Sequence, residues 1–170
     1  MIDPKEHSEH RGIIETILRF IPGFRGYLLK DYRQESDYLA RKWMADRLDQ
    51  SKRSLDDYMV GLVNAGQLDP LPTCERVKTR LDGLILKMRG SVRGYSGFFD
   101  FVQVNVDLLD QVYEHDMSLI RDVTAAAEAI EQLSSKPEVS PTTLNDLLRQ
   151  IDEVDRKFAK RGDLLNGVGE

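Results

Sequence analysis

The sequence predicts an all-α protein: an elongated up-down bundle of four main helices, two long and two short, with a further short helix at the N-terminus. Three observations predict it. Apolar residues recur at three- and four-residue spacing through most of the chain, the long stretch from Asp31 to Ala65 contains no proline, and clusters of proline, glycine and serine punctuate the periodic segments. Connections of roughly eight residues favour antiparallel neighbours.

The first helix carries Ile13, Ile14, Ile17, Leu18 and Ile21 on one face and stops at Pro22. Ile21-Pro22-Gly23-Phe24-Arg25-Gly26-Tyr27 follows, an irregular elbow whose aromatics favour burial. The long helix that comes next has a seam of Tyr38, Ala45, Leu48, Leu55, Met59 and Leu62, interrupted by Arg41 and Lys52. Gly66 to Pro72 breaks it, and Thr73 is placed to cap a third helix bearing Val77, Leu81, Leu84, Ile85, Met88 and Val92. A second aromatic elbow, Arg93 to Phe99, leads to Phe101-Val102-Gln103-Val104-Asn105-Val106, which alternates as a strand would. The helical reading is preferred because a seam from Val102 through Leu109, Tyr113, Asp116, Ile120, Val123, Ala127 and Ile130 crosses this stretch without a phase break. Ser140-Pro141 then opens the last helix, with Leu144, Leu147, Leu148, Ile151, Val154 and Phe158 on its face and Gly162 as its stop.

The 170 residues are read as a single domain, with two quasi-repeated helical hairpins at about 21–92 and 92–162. The elbows share the order aliphatic, any, Gly, aromatic, any, Gly, aromatic, 71 positions apart, and the same offset carries Asp69-Pro70 onto Ser140-Pro141. A 35-residue helix is about 52 Å long at 1.5 Å per residue, against roughly 40 Å for a compact domain of this size, hence the elongated shape.

Composition narrows the function classes. With 41% apolar and 31% charged residues the chain supports a core, which excludes disordered and collagenous classes, and the single cysteine, Cys74, excludes an intrachain disulfide. No apolar run approaches the ~20 residues of a membrane span and the N-terminus lacks a signal-peptide pattern, so a cytoplasmic location is expected. The net charge of −5 argues against nonspecific nucleic-acid binding.

Chemistry-bearing residues are sparse. Glu6, His7 and His10 share helical spacing, but the Glu-x-x-His pairs of a dimetal bundle are absent, so no metal site is assigned. Cys74 lacks a neighbouring histidine and is read as structural. No phosphate loop, nucleophile elbow or paired Cys-x-x-Cys occurs, and no cofactor or small-molecule ligand is indicated. Asp116 falls inside an apolar seam, where a carboxylate requires a partner, and Arg41 or Lys52 on the facing helix is the expected one, fixing helix register.

Charge is segregated. Residues 67–99 hold six Lys/Arg against three acids, whereas 100–134 hold one against eight, so the acids of the latter form a solvated face partly neutralised by the basic helix, or a docking surface for a basic partner. Asp107, Asp110 and Glu114 belong to that candidate surface; Phe24, Tyr27, Tyr95 and Phe98 of the elbows either plug the bundle ends or line a groove for a partner.

The Ile21–Tyr27 run before a charged long helix, and the later Gly94-Tyr95-Ser96-Gly97-Phe98-Phe99-Asp100 before Tyr113-Glu114-His115-Asp116, resemble a group of bacterial all-helical proteins of uncharacterised function, over about residues 13–134. The resemblance implies an all-helical fold and brings no activity, cofactor or site. The expected function is a non-enzymatic scaffold or adaptor acting through a protein partner or self-association. The alternatives are attachment to a membrane surface by the first helix and, below that, a metal- or ligand-binding helical enzyme using His7, His10, Glu6 or Asp116.

Overall fold

The computed structural model describes residues 4–90, 106–136 and 139–165. Within them the chain forms α1 (Pro4–Phe20), α2 (Lys30–Asn64), α3 (Leu71–Gly90), α4 (Val106–Glu131), a 3₁₀ turn (Leu133–Ser135) and α5 (Pro141–Leu165), and no strand occurs among the described residues. Val106 already lies in α4, while Phe101–Asn105, like Tyr95 and Phe98 of the second elbow, lie outside the described residues.

α2 runs unbroken for 35 residues, including Gly61. Its inward stripe is Ala40, Arg41, Met44, Ala45, Leu48, Ser51, Leu55 and Leu62. Tyr38, expected in this seam, is 52% exposed; the inward position on that turn belongs to Asp37. α3 begins at Leu71, two residues before the expected Thr73 cap, with Cys74 N–H donating to the Pro70 carbonyl. At α5 the cap is as expected: Ser140 Oγ accepts from Thr143 N–H at 3.3 Å and Pro141 opens the helix. Gly162 does not end α5. Leu164 and Leu165 beyond it are both buried, and that burial outweighs the roughly 1 kcal/mol helical cost of one glycine. With 25 residues α5 nearly equals α4's 26, so the expected contrast of two long and two short arms is softened.

α2 packs on α3 and α4, and α5 packs on the same two helices, so the four form a ring with α3 and α4 at opposite corners. Ion pairs fix directions. Arg89 near the end of α3 reaches Asp46 and Asp49 of α2 while Lys78 reaches Asp56, so α2 and α3 are antiparallel. Lys157 on Asp122 and Arg161 on Asp116 make α4 and α5 antiparallel, and Arg80–Asp152 with Lys87–Asp155 set α3 and α5 parallel. Two hairpins thus lie side by side, with α1 resting against α4.

Buried positions of the long arms coincide at an offset of 71, as in Ala45/Asp116, Leu48/Leu119, Leu55/Ala126 and Leu62/Leu133. Those of α3 and α5 coincide at 70 instead: Cys74/Leu144, Val77/Leu147, Leu81/Ile151, Leu84/Val154 and Met88/Phe158. Pro70 therefore precedes its helix whereas Pro141 opens its own, and equivalent buried positions of the two arms lie one residue closer in sequence in the second hairpin.

Two glycines separate conformational need from chance. Gly26 has φ +81°, and a Cβ there would lie 2.6 Å from Tyr113 Oη; Gly61, inside α2, faces open space. Gly26→Ala is expected to cost more than about 2 kcal/mol in denaturant unfolding, and Gly61→Ala to stabilise by about 0.5–1 kcal/mol. A neutral Gly26→Ala would contradict the close approach of the elbow to α4.

Candidate functional site

The densest gathering of polar groups among the described residues is a buried layer crossing the bundle level with Met88 of α3. Arg161 of α5 lies at its centre, fully enclosed, and all three guanidinium nitrogens are used. Nε donates to Asp116 Oδ1 at 2.7 Å, Nη1 to Asp37 Oδ1 at 2.6 Å and Nη2 to Tyr27 Oη at 3.0 Å. Tyr27 O–H in turn donates to Asp116 Oδ2 at 2.5 Å, and Arg41 Nε donates to Asp37 Oδ2 at 2.9 Å. Every oxygen of the two carboxylates thus receives a charged or phenolic donor, as buried carboxylates require.

Local sequence explains how each member arrives. Asp37 and Arg41 are one helical turn apart on α2, so they share its inward face. Asp116 stands on the α4 seam, and Arg161 continues the α5 stripe three residues past Phe158. Tyr27 comes from the elbow, where positive-φ Gly23 and Gly26 allow the chain to turn its ring inward. The Tyr27 ring stacks on Tyr113 at 5.4 Å and meets Phe24 edge-on, and Tyr113 Oη accepts the Tyr27 N–H at 2.7 Å. Arg33 Nε holds the Tyr27 carbonyl at 2.6 Å. Arg41 Nη1 also donates to the Met88 carbonyl of α3 at 3.0 Å.

Electrostatics follow from enclosure. Burial, reinforced by the Asp116 carboxylate, pushes the Tyr27 phenol well above its ordinary value, and burial likewise raises Tyr113. For Arg161, desolvation pulls downward, but the Asp116, Tyr27 and Asp37 oxygens outweigh it and hold the guanidinium firmly charged. Burial also pushes the Cys74 thiol up, away from the thiolate a nucleophile needs.

The expected partner of Asp116 is corrected. It is Arg161, not Arg41 or Lys52. Arg41 belongs to the layer one step away, through Asp37, whereas Lys52 sits at the bundle edge on Asp82 at 2.5 Å and Asp49 at 3.6 Å. The reason is geometric: α5 also faces α4, and its stripe places Arg161 level with Asp116. A stripe extended past Gly162 would have revealed Arg161 in the sequence.

The elbow residues Phe24 and Tyr27 are core, so they offer no surface to a partner; Tyr95 and Phe98 lie outside the described residues. Asp107 and Glu114 are exposed and Asp110 is half-buried on α4. Among the described residues no ion pair joins α3 to α4, since the two occupy opposite corners. α3 spends its cations on α2 and α5, through Lys78–Asp56, Arg89–Asp46, Arg80–Asp152 and Lys87–Asp155. α4 is served instead by Arg161, Lys157 and Arg47, the last as a bidentate pair with Glu131 at 2.7 and 3.0 Å. His115 hydrogen-bonds through Nε2 to the Lys157 carbonyl at 2.6 Å.

Among the described residues no three His, Cys, Asp or Glu side chains form a metal-binding group; the side chains of Glu6, His7 and His10 lie outside the described set. Two surface hollows, about 260 Å³ beside Trp43 and about 580 Å³ beside Phe158, are not lined by Arg161, Asp116, Asp37 or Tyr27. No helix of the described residues is long and apolar enough to cross a membrane. Comparison with protein-family models, curated proteins and solved structures finds no match.

Arg161→Met leaves Asp116 without its cation and is expected to cost about 3–5 kcal/mol, whereas Lys52→Ala, which removes only an edge pair, should cost at most about 1 kcal/mol; chemical denaturation of both variants checks the assignment. Equal losses would return the key pairing to Lys52. The raised phenols also set a pH window. An acid whose folded value lies above its unfolded value binds protons more tightly when folded, so its contribution is complete below about pH 10 and is lost as pH rises beyond it. Stability should therefore decline above about pH 10, and less steeply in Tyr27→Phe, as read by melting temperature across an alkaline series.

Proposed function

We propose that the protein is a non-enzymatic helical scaffold or adaptor of the bacterial cytoplasm, working through contacts of its helix faces with a protein partner or a second copy. The observation that carries this reading is the closure of the charged layer: the convergent ionisable groups are sealed from solvent and spent on one another, so they are arranged to hold helices in register. What faces outward is recognition chemistry. Glu114 and Glu128, 14 residues apart and so on nearly one face of α4, are exposed, and among the described residues neither forms a direct ion pair, Glu128 lying only in the field of Arg47. A basic partner surface complements that face.

Attachment to a membrane surface through α1 is the second reading. Leu18 at 44% exposure and Phe20 favour it, while Ile17 and Ile21, the heart of the helix's apolar face, are already buried against the bundle.

The adaptor reading is tested by light scattering of the pure chain and by capture on the tagged chain in bacterial extract. A dimer or a stoichiometric partner is expected, and Glu114→Lys with Glu128→Lys should abolish the association while Glu75→Lys, an exposed change on α3, leaves it intact. A strict monomer that captures nothing, or an association indifferent to the α4 charges, would overturn it.

A further inference from the structure

The apolar interior is divided. The larger core holds Met44, Leu48, Leu81, Leu84, Val123, Ile151 and Phe158 and draws on all four bundle helices. The smaller core holds Ile17, Ile21, Phe24, Tyr27, Ala40, Leu109, Tyr113, Ile120 and Leu164, drawn from α1, the elbow, the first third of α2, α4 as far as Ile120 and the end of α5. Among the described residues α3 contributes nothing to the smaller core, and Trp43 alone borders both. Arg161 separates Phe158 from Leu164 on α5 and Arg41 separates Ala40 from Met44 on α2, so on those helices the charged layer forms the plane of division, while on α4 Asp116 lies within the stretch of the smaller core, which reaches Ile120.

That plane is held by directed bonds instead of continuous apolar packing. An enclosed ion-pair layer contributes little net stability once desolvation is counted, yet loses much when one bond is removed. Apolar contact, which couples neighbouring parts of a core most broadly, is interrupted there. We infer that the protein opens at the charged layer: α1, the elbow and the adjoining ends of α4 and α5 release as one cooperative cap while the four-helix core stays closed. The opening is a conformational device independent of which partner the surface takes, and it uncovers Ile17 and Ile21, the residues α1 would need to engage anything else.

Native-state hydrogen exchange in low denaturant tests this on the full chain. Amides of Ile13–Phe20 and of Asp110–Tyr113 are expected to share one opening isotherm, shallower and of lower free energy than that of Leu81–Met88, Val123–Ile130 and Ile151–Phe158. Tyr27→Phe keeps the stacked ring but removes the hydroxyl that joins Asp116 to Arg161, so it should accelerate exchange of the cap amides by about tenfold and leave the core amides unchanged. Exchange of both sets through one global isotherm, or equal acceleration of both by Tyr27→Phe, would overturn the inference.

Discussion

A guanidinium with no access to water can persist only where oxygen atoms replace its hydration on every side. Arg161 meets this condition through Tyr27 of the elbow and Asp37 of α2, near each other in sequence, and through Asp116 of α4, distant from both. The requirement is demanding because it is directional. Moving one helix by a single residue rotates its side chains by about 100° and shifts them about 1.5 Å, enough to break each of these bonds. Leucine-rich seams impose no comparable penalty, since a stripe repeating every three or four residues meets another apolar stripe after a slip of one turn. The layer therefore supplies the uniqueness of alignment that the apolar packing leaves open.

Several otherwise separate features follow from it. α5 continues through Gly162 because Arg161 must be held on a rigid helix and Leu164 and Leu165 pack just beyond it. The Met88 carbonyl of α3 is taken up by Arg41, the residue that also steadies Asp37. The elbow is bent by two positive-φ glycines so that Tyr27 can turn its hydroxyl to the layer while its N–H meets Tyr113. Each of these features serves the completion of one charge network.

The fold was legible where periodicity speaks alone. The span of α2, the cap at Ser140 and the inward faces of α3 and α5 follow directly from apolar spacing and capping chemistry. Asp116 was legible too, since a carboxylate inside a seam demands a partner. Its partner was not, because seam arithmetic along one helix carries no information on which of two neighbours faces it at a given level. Tyr38 misled for a related reason: an aromatic at seam spacing outscores an aspartate by hydropathy, yet Asp37 is the inward residue because Arg41 and Arg161 await it. Gly162 was read as a stop because local propensity is visible in sequence and the burial of Leu164 is not.

Interior and surface charges follow opposite logic in this molecule, and the contrast bears on function. Inside, every carboxylate oxygen is engaged, so the cluster holds helices together and has no open face toward a substrate. Outside, pairs such as Lys42–Asp46 and Arg156–Glu153 lie on exposed faces where ion pairs contribute little to stability. Carboxylates such as Glu114 and Glu128 can therefore be committed to encounter with another macromolecule at small cost to the fold. A layer that secures alignment more than net stability also leaves the smaller core the easier of the two to release. One arrangement of charges thereby reconciles a single well-defined closed structure with the proposed opening of the cap, and neither draws on the α4 carboxylates proposed to meet a partner.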